Sequence, residues 1–206
     1  FPRPGTEPPP GWRWVRLGEV CETKMGGTPS TKDAEYWEPP EIVWVTPEDL
    51  EKCELNRVFS SRRLISRAGL EKSSAKLFPH KTVLLSTTAT IGKVGVAEKP
   101  LSANQQISGI ICGDYVNPEF LAYYLLRLGE TGLKQLGGTA TATHINQTNL
   151  RSLPIPLPPL EEQRRIVAHL EAVQAKVRAL KEAQAATEAE LQRLEQAILD
   201  KAFRGE

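Results

Sequence analysis

The chain has 206 residues, of which 40% are hydrophobic and 25% are charged, and its formal net charge at pH 7 is +1. These proportions are ordinary for a soluble globular protein, and the near-zero charge excludes a polycation that coats nucleic acid with its whole surface. No apolar run approaches the roughly 20 residues that a bilayer-spanning helix needs.

Residues 1–11 predict an extended lead-in, because their prolines stiffen the backbone. This segment has neither the basic nor the apolar stretch of a secretory signal, so we expect a cytoplasmic protein without membrane contact. It also lacks an initiator Met, which fits a fragment, a processed product or an incomplete reading frame. Cys21, Cys53 and Cys112 include no C-x-x-C spacing, so we expect reduced thiols and no metal site.

Short apolar stretches separated by Gly, Pro, Ser and Thr fill the chain up to residue 150. They predict an α+β domain with mainly antiparallel strands and short helices. The predicted strands lie in WRWVRLGEVCE, in IVWVTPEDL, on both sides of the Thr-rich turn of KTVLLSTTATIGKVGVAE, and in QQISGIICG. The segment PEFLAYYLLRLGETGLKQL has helical spacing, with Asn117 as its cap in front of Pro118.

The sequence changes character at residues 151–160, RSLPIPLPPL, whose four prolines forbid a helix and favour extended backbone. From there to residue 204 neither Pro nor Gly occurs, and strong helix formers dominate. We therefore predict a globular domain over residues 12–159. A coiled-coil helix for dimerisation and spacing follows over residues 160–206.

Two positions recur every seven residues along this helix, in alternating steps of four and three, and most of them are apolar. The predicted seam comprises Ile166, Leu170, Val173, Val177, Leu180, Gln184, Thr187, Leu191, Leu194 and Ile198. This spacing is typical of a coiled coil, in which a polar layer such as Gln184 and Thr187 can set register and partner number. Because so narrow a stripe cannot stabilise a helix of roughly 66 Å alone in water, we expect a partner helix.

Known catalytic motifs are missing from the sequence. His80, His144 and His169 are scattered, and there is no metalloprotease, nucleophile-elbow, phosphate-loop or dinucleotide-binding pattern. The methyltransferase tetrapeptide N-P-P-[FY] and a nuclease-like cluster of acids are missing as well. We therefore predict neither catalysis nor a bound cofactor for this chain alone.

Four polar loops rich in Gly, Ser, Thr, Asn and Gln stand out instead. They are loop 1 (residues 25–30, leading into Thr31 and Lys32), loop 2 (residues 86–93), loop 3 (residues 103–108) and loop 4 (residues 137–149). These residue types suit nucleic acid: their hydroxyl and amide groups can donate hydrogen bonds to the edges of bases and accept hydrogen bonds from them. Small residues let the backbone approach a phosphate group, and Lys neutralises the charge of that phosphate. Such loops are also common as plain surface loops, so their concentration before a pairing helix is the stronger observation.

A basic block lies between residues 52 and 99, where ten Lys or Arg residues face three acids. It predicts either a basic face for phosphate contacts or a solvated surface balanced by acids from elsewhere in the fold. On the same face as the four loops, the block would favour DNA binding. Scattered over the surface, it would favour a coiled-coil adaptor that binds protein.

The order of these segments resembles the specificity subunit of type I restriction-modification enzymes. The resemblance rests on WRWVRLGEV, GGTPS, TTATIGKVG and NQQISGI, on the proline run followed by LEEQRRI, and on the ending AFRGE. It implies a non-catalytic target-recognition domain that contacts a short half-site in the major groove of double-stranded DNA. Carried over by position, the candidate DNA-binding residues are Gly26, Gly27, Thr28, Pro29, Ser30, Lys32, Thr87, Thr88, Thr90, Lys93, Gln105, Gln106, Thr139, Thr141, Thr143, His144, Asn146 and Gln147.

The resemblance also implies partners. In this family an antiparallel coiled coil separates two recognition domains and engages two modification (methyltransferase) subunits, and a restriction or motor subunit can join them. This chain has one domain and one helix, so it is either half of a longer protein or a half-subunit that pairs with itself on two identical half-sites. The alternatives are the protein-binding adaptor and an enzyme whose acid or metal cluster the sequence does not show.

Overall fold

The computed structural model describes residues 5–136 and 143–204. The chain divides into two compact units, with the boundary between Arg164 and Arg165. The first unit holds every β-strand that the structure describes, and the second is helical. No helix within the described ranges combines the length and the apolar content that crossing a bilayer requires.

The described residues form an α+β fold with mainly antiparallel strands, as predicted. In chain order the elements are β1 (Arg13–Arg16), α1 (Leu17–Val20), β2 (Cys21–Met25), a 3-10 turn (Ala34–Tyr36), β3 (Ile42–Val45), a 3-10 turn (Pro47–Asp49), β4 (Leu55–Val58), β5 (Arg63–Ile65), α2 (Arg67–Glu71), β6 (Val83–Ser86), β7 (Val94–Ala97), β8 (Ser102–Ala103), β9 (Ile107–Cys112), α3 (Pro118–Leu136), α4 (Gln147–Arg151), β10 (Pro154–Leu157) and α5 (Leu160–Arg204).

The central sheet has five strands in the order β2-β9-β6-β7-β4, antiparallel except for the parallel pair of β4 and β7. The two strands predicted around the Thr-rich turn are confirmed as β6 and β7. Their residues are buried on both faces: Val83 and Leu85 pack in one core with Leu121 of α3, and Leu84 packs in a second core with Val45 of β3. The sheet therefore lies between a helical layer and the β3 region.

Two smaller sheets complete the domain. In the sheet β5-β3-β8, the register places Trp44 opposite Arg63. In the other, the proline-rich strand β10 pairs with β1, and Pro156 lies opposite Trp14. A strand with a single neighbour tolerates proline, because the missing N–H is not needed for a second ladder. The predicted extended proline run is therefore confirmed as an edge strand.

Both predicted helices are present. Asn117 caps α3, because its side-chain oxygen accepts a 2.8 Å hydrogen bond from the N–H of Phe120. Helix α5 begins at Leu160, directly after the proline run, and continues to Arg204. Gly129 interrupts α3 with a positive φ of 59°, a feature that the sequence pattern did not predict.

A fully buried amide, Gln163, anchors the first turn of α5. Its oxygen accepts a 2.8 Å hydrogen bond from the N–H of Asn117. Its nitrogen donates to the carbonyl oxygens of Tyr115 and Pro158, each at 2.9 Å. One side chain thus satisfies three backbone groups and joins the start of α5 to the start of α3.

The predicted seam of α5 is half-buried at Ile166 and Leu170 and exposed to solvent from Val173 onwards. Val173 and Val177 are each 44% exposed, and Leu180 and Ile198 are each 66% exposed. Apolar side chains that recur along one face of a solvent-exposed helix are typical of a surface that a partner covers. Thr187 of the polar layer donates its hydroxyl to the carbonyl oxygen of Ala183 at 3.0 Å.

Candidate nucleic-acid interface

Loops 1 and 3 meet at one end of the central sheet. Strands β2 and β9 are antiparallel neighbours, so the loop that follows β2 lies beside the loop that precedes β9. The N–H of Gly27 donates to the carbonyl oxygen of Ala103 at 2.9 Å. The hydroxyl of Thr28 donates to the side-chain oxygen of Gln105. Backbone and side chains therefore both fasten loop 1 to loop 3.

Loop 2 lies between loop 3 and the described part of loop 4. The N–H of Thr87 donates to the carbonyl oxygen of Gln106 at 2.8 Å, and the N–H of Ile145 donates to the carbonyl oxygen of Thr87 at 2.8 Å. The side chain of Gln147 donates to the hydroxyl of Ser108 at 2.8 Å. Hydrogen bonds thus join the described parts of the four predicted loops to one another.

A polar cleft of about 500 Å³ opens between loops 1, 2 and 3 and the region of β3 and β5. Five predicted DNA-binding residues line it: Thr28, Thr90, Lys93, Gln105 and Gln106. The other lining residues are Trp44, Thr46, Pro47, Glu48, Arg62, Arg63 and Asn104. The cleft thus combines hydroxyls, amides and three cations with a single acid, a composition suited to a polyanion with hydrogen-bonding edges.

Four further predicted residues, Thr87, Thr88, Thr143 and His144, line a neighbouring groove of about 410 Å³. A β-bridge between Thr88 and His144 joins loop 2 to loop 4 there. Thr143 and His144 are exposed. Thr139 and Thr141 lie outside the described residues.

The glycines of loop 1 pack against the protein itself. A Cβ at Gly26 would lie 2.2 Å from the carbonyl oxygen of Asn104, and a Cβ at Gly27 would lie 2.0 Å from that of Ser74. Distances this short exclude a side chain at either position. We expected small residues here to admit a phosphate, but their close neighbours are carbonyl groups of the fold.

Several other predicted residues also have structural partners. Pro29 is buried, and Thr87 is 2% exposed. Asn146 caps α4, because its side-chain oxygen accepts a 2.8 Å hydrogen bond from the N–H of Asn149. Ser30 and Lys32 are exposed but do not line the cleft. The structure therefore brings together a part of the predicted set at the cleft and uses another part to build the loops.

The cations of the basic block have different surroundings. Six of its cations form ion pairs: Lys52 with Glu130, Arg57 and Lys81 with both Glu98 and Glu119, Arg62 with Glu48, Arg67 with Glu41, and Lys72 with Glu35. Arg62, Arg63 and Lys93 line the cleft. Acids of the fold thus balance six members of the block, including Arg62, while Arg63 and Lys93 lie at the cleft without an ion pair among the described residues.

Arg57, Lys81, Glu98 and Glu119 form one cluster with N–O distances between 2.7 and 3.0 Å. Burial by itself would raise the pKa of both carboxyl groups. Hydrogen bonds from Lys81 and Arg57 outweigh burial, so the pKa of each carboxyl lies below its ordinary value. The same bonds raise the pKa of Lys81 in spite of its burial. Arg57 and Lys81 are therefore paired with carboxylates of the fold itself and are not available to a ligand.

A larger cavity, of about 660 Å³, lies between α1, β2 and β9, and no residue of the four predicted loops lines it. Three acids line it, Glu19, Glu22 and Asp114, against the single cation Arg151. The Arg151 side chain donates to the hydroxyl of Thr23 at 3.0 Å. This excess of acids suits a polyanion poorly, so the smaller cleft is the better candidate interface.

The sequence patterns did not assign Trp44, Arg63 and Asn104 to the site. Trp44 was predicted as a strand residue and Arg63 as one of ten cations of the basic block. Strand β5 was not predicted, so the register that places Trp44 opposite Arg63 could not be deduced from a local pattern. Asn104 lies within loop 3, and its side-chain amide is of the same type as those of the predicted Gln105 and Gln106, so composition could have included it among the candidate DNA-binding residues.

The chain belongs to the family described as the type I restriction modification DNA specificity domain, which matches residues 9–190. The type I restriction enzyme MjaIX specificity subunit of Methanocaldococcus jannaschii is 35% identical over 164 residues, which cover 79% of this chain and 38% of the relative. The EcoR124I/EcoR124II specificity subunit of Escherichia coli is 30% identical over 165 residues, which cover 77% of this chain and 40% of the relative.

Solved structures show the same architecture. The HsdS subunit from Thermoanaerobacter tengcongensis is 41% identical with a TM-score of 0.72, and the match covers 100% of this chain and 48% of that subunit. A chain from a structure of the type I R-M system, solved to study complex assembly and conformational transition, is 40% identical with a TM-score of 0.78 and matches 98% of this chain. This chain spans about half the length of these structures.

Proposed function

We propose that this chain is a DNA-recognising part of a type I restriction-modification specificity subunit, and that the polar cleft binds double-stranded DNA. One observation carries the proposal: loops distant in sequence meet at a cleft that also holds Arg62, Arg63 and Lys93. Base edges need amides and hydroxyls, and phosphates need cations. The family is named for DNA specificity, which supports the same ligand.

Hydrogen bonds within the cleft orient its amide side chains. The side-chain oxygen of Gln105 accepts from Thr28, which leaves the amino group of Gln105 as a donor. Asn104 donates to the side-chain oxygen of Gln106 at 2.9 Å and accepts from the N–H of Gln106 at 3.0 Å. Side chains that are already ordered lose less entropy on binding. We therefore place base contacts at Gln105 and Gln106.

Lys93 is the best candidate for a phosphate contact. Its ammonium group is half-buried at the cleft and donates to the carbonyl oxygen of Pro47 at 2.6 Å. No carboxylate lies within ion-pair distance of Lys93 among the residues that the structure describes. Its charge is therefore not cancelled by an acid and adds to the positive potential of the cleft.

The exposed seam of α5 supports assembly through this helix. We propose that it pairs with a second helix, either in another copy of the chain or in the remaining half of a longer subunit. Two recognition domains held apart in this way would bind a bipartite target. In that complex, which we place in the cytoplasm, modification (methyltransferase) subunits and a restriction or motor subunit would supply the chemistry.

A coiled-coil adaptor that binds protein is the second candidate. The ion pairing of the basic block favours it, because six of the block's cations are balanced by acids and leave little excess charge outside the cleft. The two candidates differ in ligand. A DNA-binding chain responds to salt and to cations in the cleft, whereas an adaptor binds no particular duplex.

Selection from a pool of random DNA duplexes tests the proposal, with the chain alone and with a type I modification subunit from the same source. We expect one half-site or a bipartite motif to be enriched. Lys93→Ala should weaken binding to all duplexes and lower the slope of log affinity against log salt by about 1. Lys99→Ala, an exposed lysine that does not line the cleft, is the matched control and should change the slope less. If no motif is enriched in either preparation, the adaptor replaces the DNA-binding proposal.

A further inference from the structure

We propose that Arg63 is a specificity-determining residue of the cleft, and that the half-site contains a guanine whose O6 and N7 atoms accept hydrogen bonds from its guanidinium group. The inference rests on the proposed DNA binding. It goes further because it names one base of the target and the side chain that selects it.

Arg63 lies on an aromatic platform. Its guanidinium carbon is 4.1 Å from the ring centroid of Trp37 and 5.2 Å from that of Trp44. The two indole rings pack edge to face, with centroids 5.3 Å apart. Each indole N–H donates at 3.0 Å to a carbonyl oxygen of loop 1, Trp37 to Ser30 and Trp44 to Gly27. The platform is therefore fixed to the loop that forms one wall of the cleft.

This packing restricts the guanidinium group, and its N–H groups have no hydrogen-bond acceptor in the part of the chain that the structure describes. Contact with two perpendicular indole rings restricts where the guanidinium group can lie, and its N–H groups lie at the edge of its own plane. Within the described ranges, the side chain of Arg63 has no carboxylate partner, in contrast to Arg62, which pairs with Glu48 at 3.6 Å. Arg63 therefore presents parallel N–H donors at the cleft, and no described carboxylate neutralises its positive charge.

The backbone of Arg63 is also well placed for base recognition. Arg63 is the first residue of β5, and the ladder with β3 sets it opposite Trp44. Gln105 and Gln106 line the same cleft and suit adenine, whereas the two parallel donors of an arginine match the major-groove edge of guanine. A guanidinium group on a strand and in contact with two aromatic rings is positioned more precisely than a side chain on a mobile loop. These features favour a base over a phosphate, which needs no such precision.

Duplex selection with the wild-type chain and with Arg63→Ala provides the first test. We expect the variant to lose its preference at one G·C pair and to keep the preferences at the other positions. Arg63→Lys keeps the charge but not the parallel donors, and it should lose the same preference. If Arg63→Ala instead lowers affinity equally for all sequences and flattens the salt dependence, Arg63 contacts a phosphate and the inference is wrong.

Modified bases test the contact in the wild-type chain, so the result does not depend on the folding of a variant. 7-Deazaguanine, which lacks the N7 acceptor, should weaken wild-type binding about 5- to 10-fold at that position and leave Arg63→Ala unchanged. Inosine, which retains O6 and N7, should bind like guanine. Unaltered wild-type affinity for the 7-deazaguanine duplex would overturn the inference. A wild-type chain that enriches no duplex at all would overturn the proposed function itself.

Discussion

The indole N–H of Trp44 donates a 3.0 Å hydrogen bond to the carbonyl oxygen of Gly27, and so ties loop 1 to the middle strand of the β5-β3-β8 sheet. Trp44 is 3% exposed, so the bond is shielded from water. On its other side Gly27 approaches the backbone of Ser74 too closely for any Cβ. Loop 1 is therefore held between a buried tryptophan and a neighbouring loop.

Gly27→Ala should lower the free energy of unfolding by about 2 kcal/mol, because the new methyl group would overlap backbone that cannot move without displacing loop 1. Trp44→Phe removes the hydrogen bond and part of the buried indole ring, so we expect a loss of about 2 kcal/mol. Urea denaturation measures both values. Equal stability of wild type and Gly27→Ala would show that loop 1 is not confined in this way.

Glu119→Gln should destabilise the fold and change its response to acid. The pKa of Glu119 is lowered in the folded state, so its contribution is present above the unfolded pKa of about 4.3 and is lost as pH falls through the folded value. The variant should lose about 1–3 kcal/mol at pH 7 and should show a shallower loss of stability below about pH 4.3. Urea midpoints at pH 7 and at acidic pH provide the comparison.

Glu130→Gln is the matched control for that variant. Glu130 also accepts from two lysines, Lys52 and Lys134, but its side chain is 36% exposed, so water and salt screen the pairs. We expect a much smaller effect than at Glu119. Similar losses in the two variants would contradict the interpretation that the Arg57–Lys81–Glu98–Glu119 cluster owes its strength to burial.

Gln163→Leu should destabilise the first unit by about 3 kcal/mol, because it keeps the volume of the buried side chain but removes hydrogen bonds to three backbone groups. Gln192→Leu, at an exposed position of the same helix, should leave stability close to that of wild type. Chemical denaturation gives the free energy of unfolding of both variants. A stable Gln163→Leu would mean that the start of α5 needs no amide anchor.

Leu180→Lys combined with Leu191→Lys should abolish helix pairing, because charge would enter the proposed seam. Ala189→Lys adds a lysine to the same exposed helix at a position outside the seam, so pairing should persist. Sedimentation over a range of protein concentrations gives the association state of each chain. A double variant that still associates like wild type would contradict the heptad interpretation.

The sequence predicted those elements of the fold whose ends are set by residues close to one another in the chain. The proline run up to Pro159 and the helix formers after it located the start of α5, and the Thr-rich turn located β6 and β7. Asn117 could be recognised as a cap because the signal lies within one turn of the helix. By contrast, β4, β5 and β8 are short, and their pairing depends on distant strands, so they were not predicted.

The candidate site could be predicted in chemistry but not in geometry. Loop composition located Gln105, Gln106 and Lys93, which the structure brings to one cleft. Composition could not show that Gly26 packs against protein carbonyl groups, or that Arg57 is committed to an ion cluster while Arg63 is not. Those distinctions arise from tertiary contacts between residues far apart in the chain.

Photocrosslinking from inside the cleft tests most directly whether this cleft contacts DNA bases. A photoreactive amino acid replaces Gln105, which is exposed at the cleft, or Leu77, which is 52% exposed and does not line it. Each chain is irradiated with a duplex enriched by the wild-type protein. We predict crosslinks from position 105 to bases of the half-site and none from position 77. Crosslinks from position 77 alone, or from neither position while the duplex stays bound, would contradict the assignment of the cleft as the DNA-recognition surface.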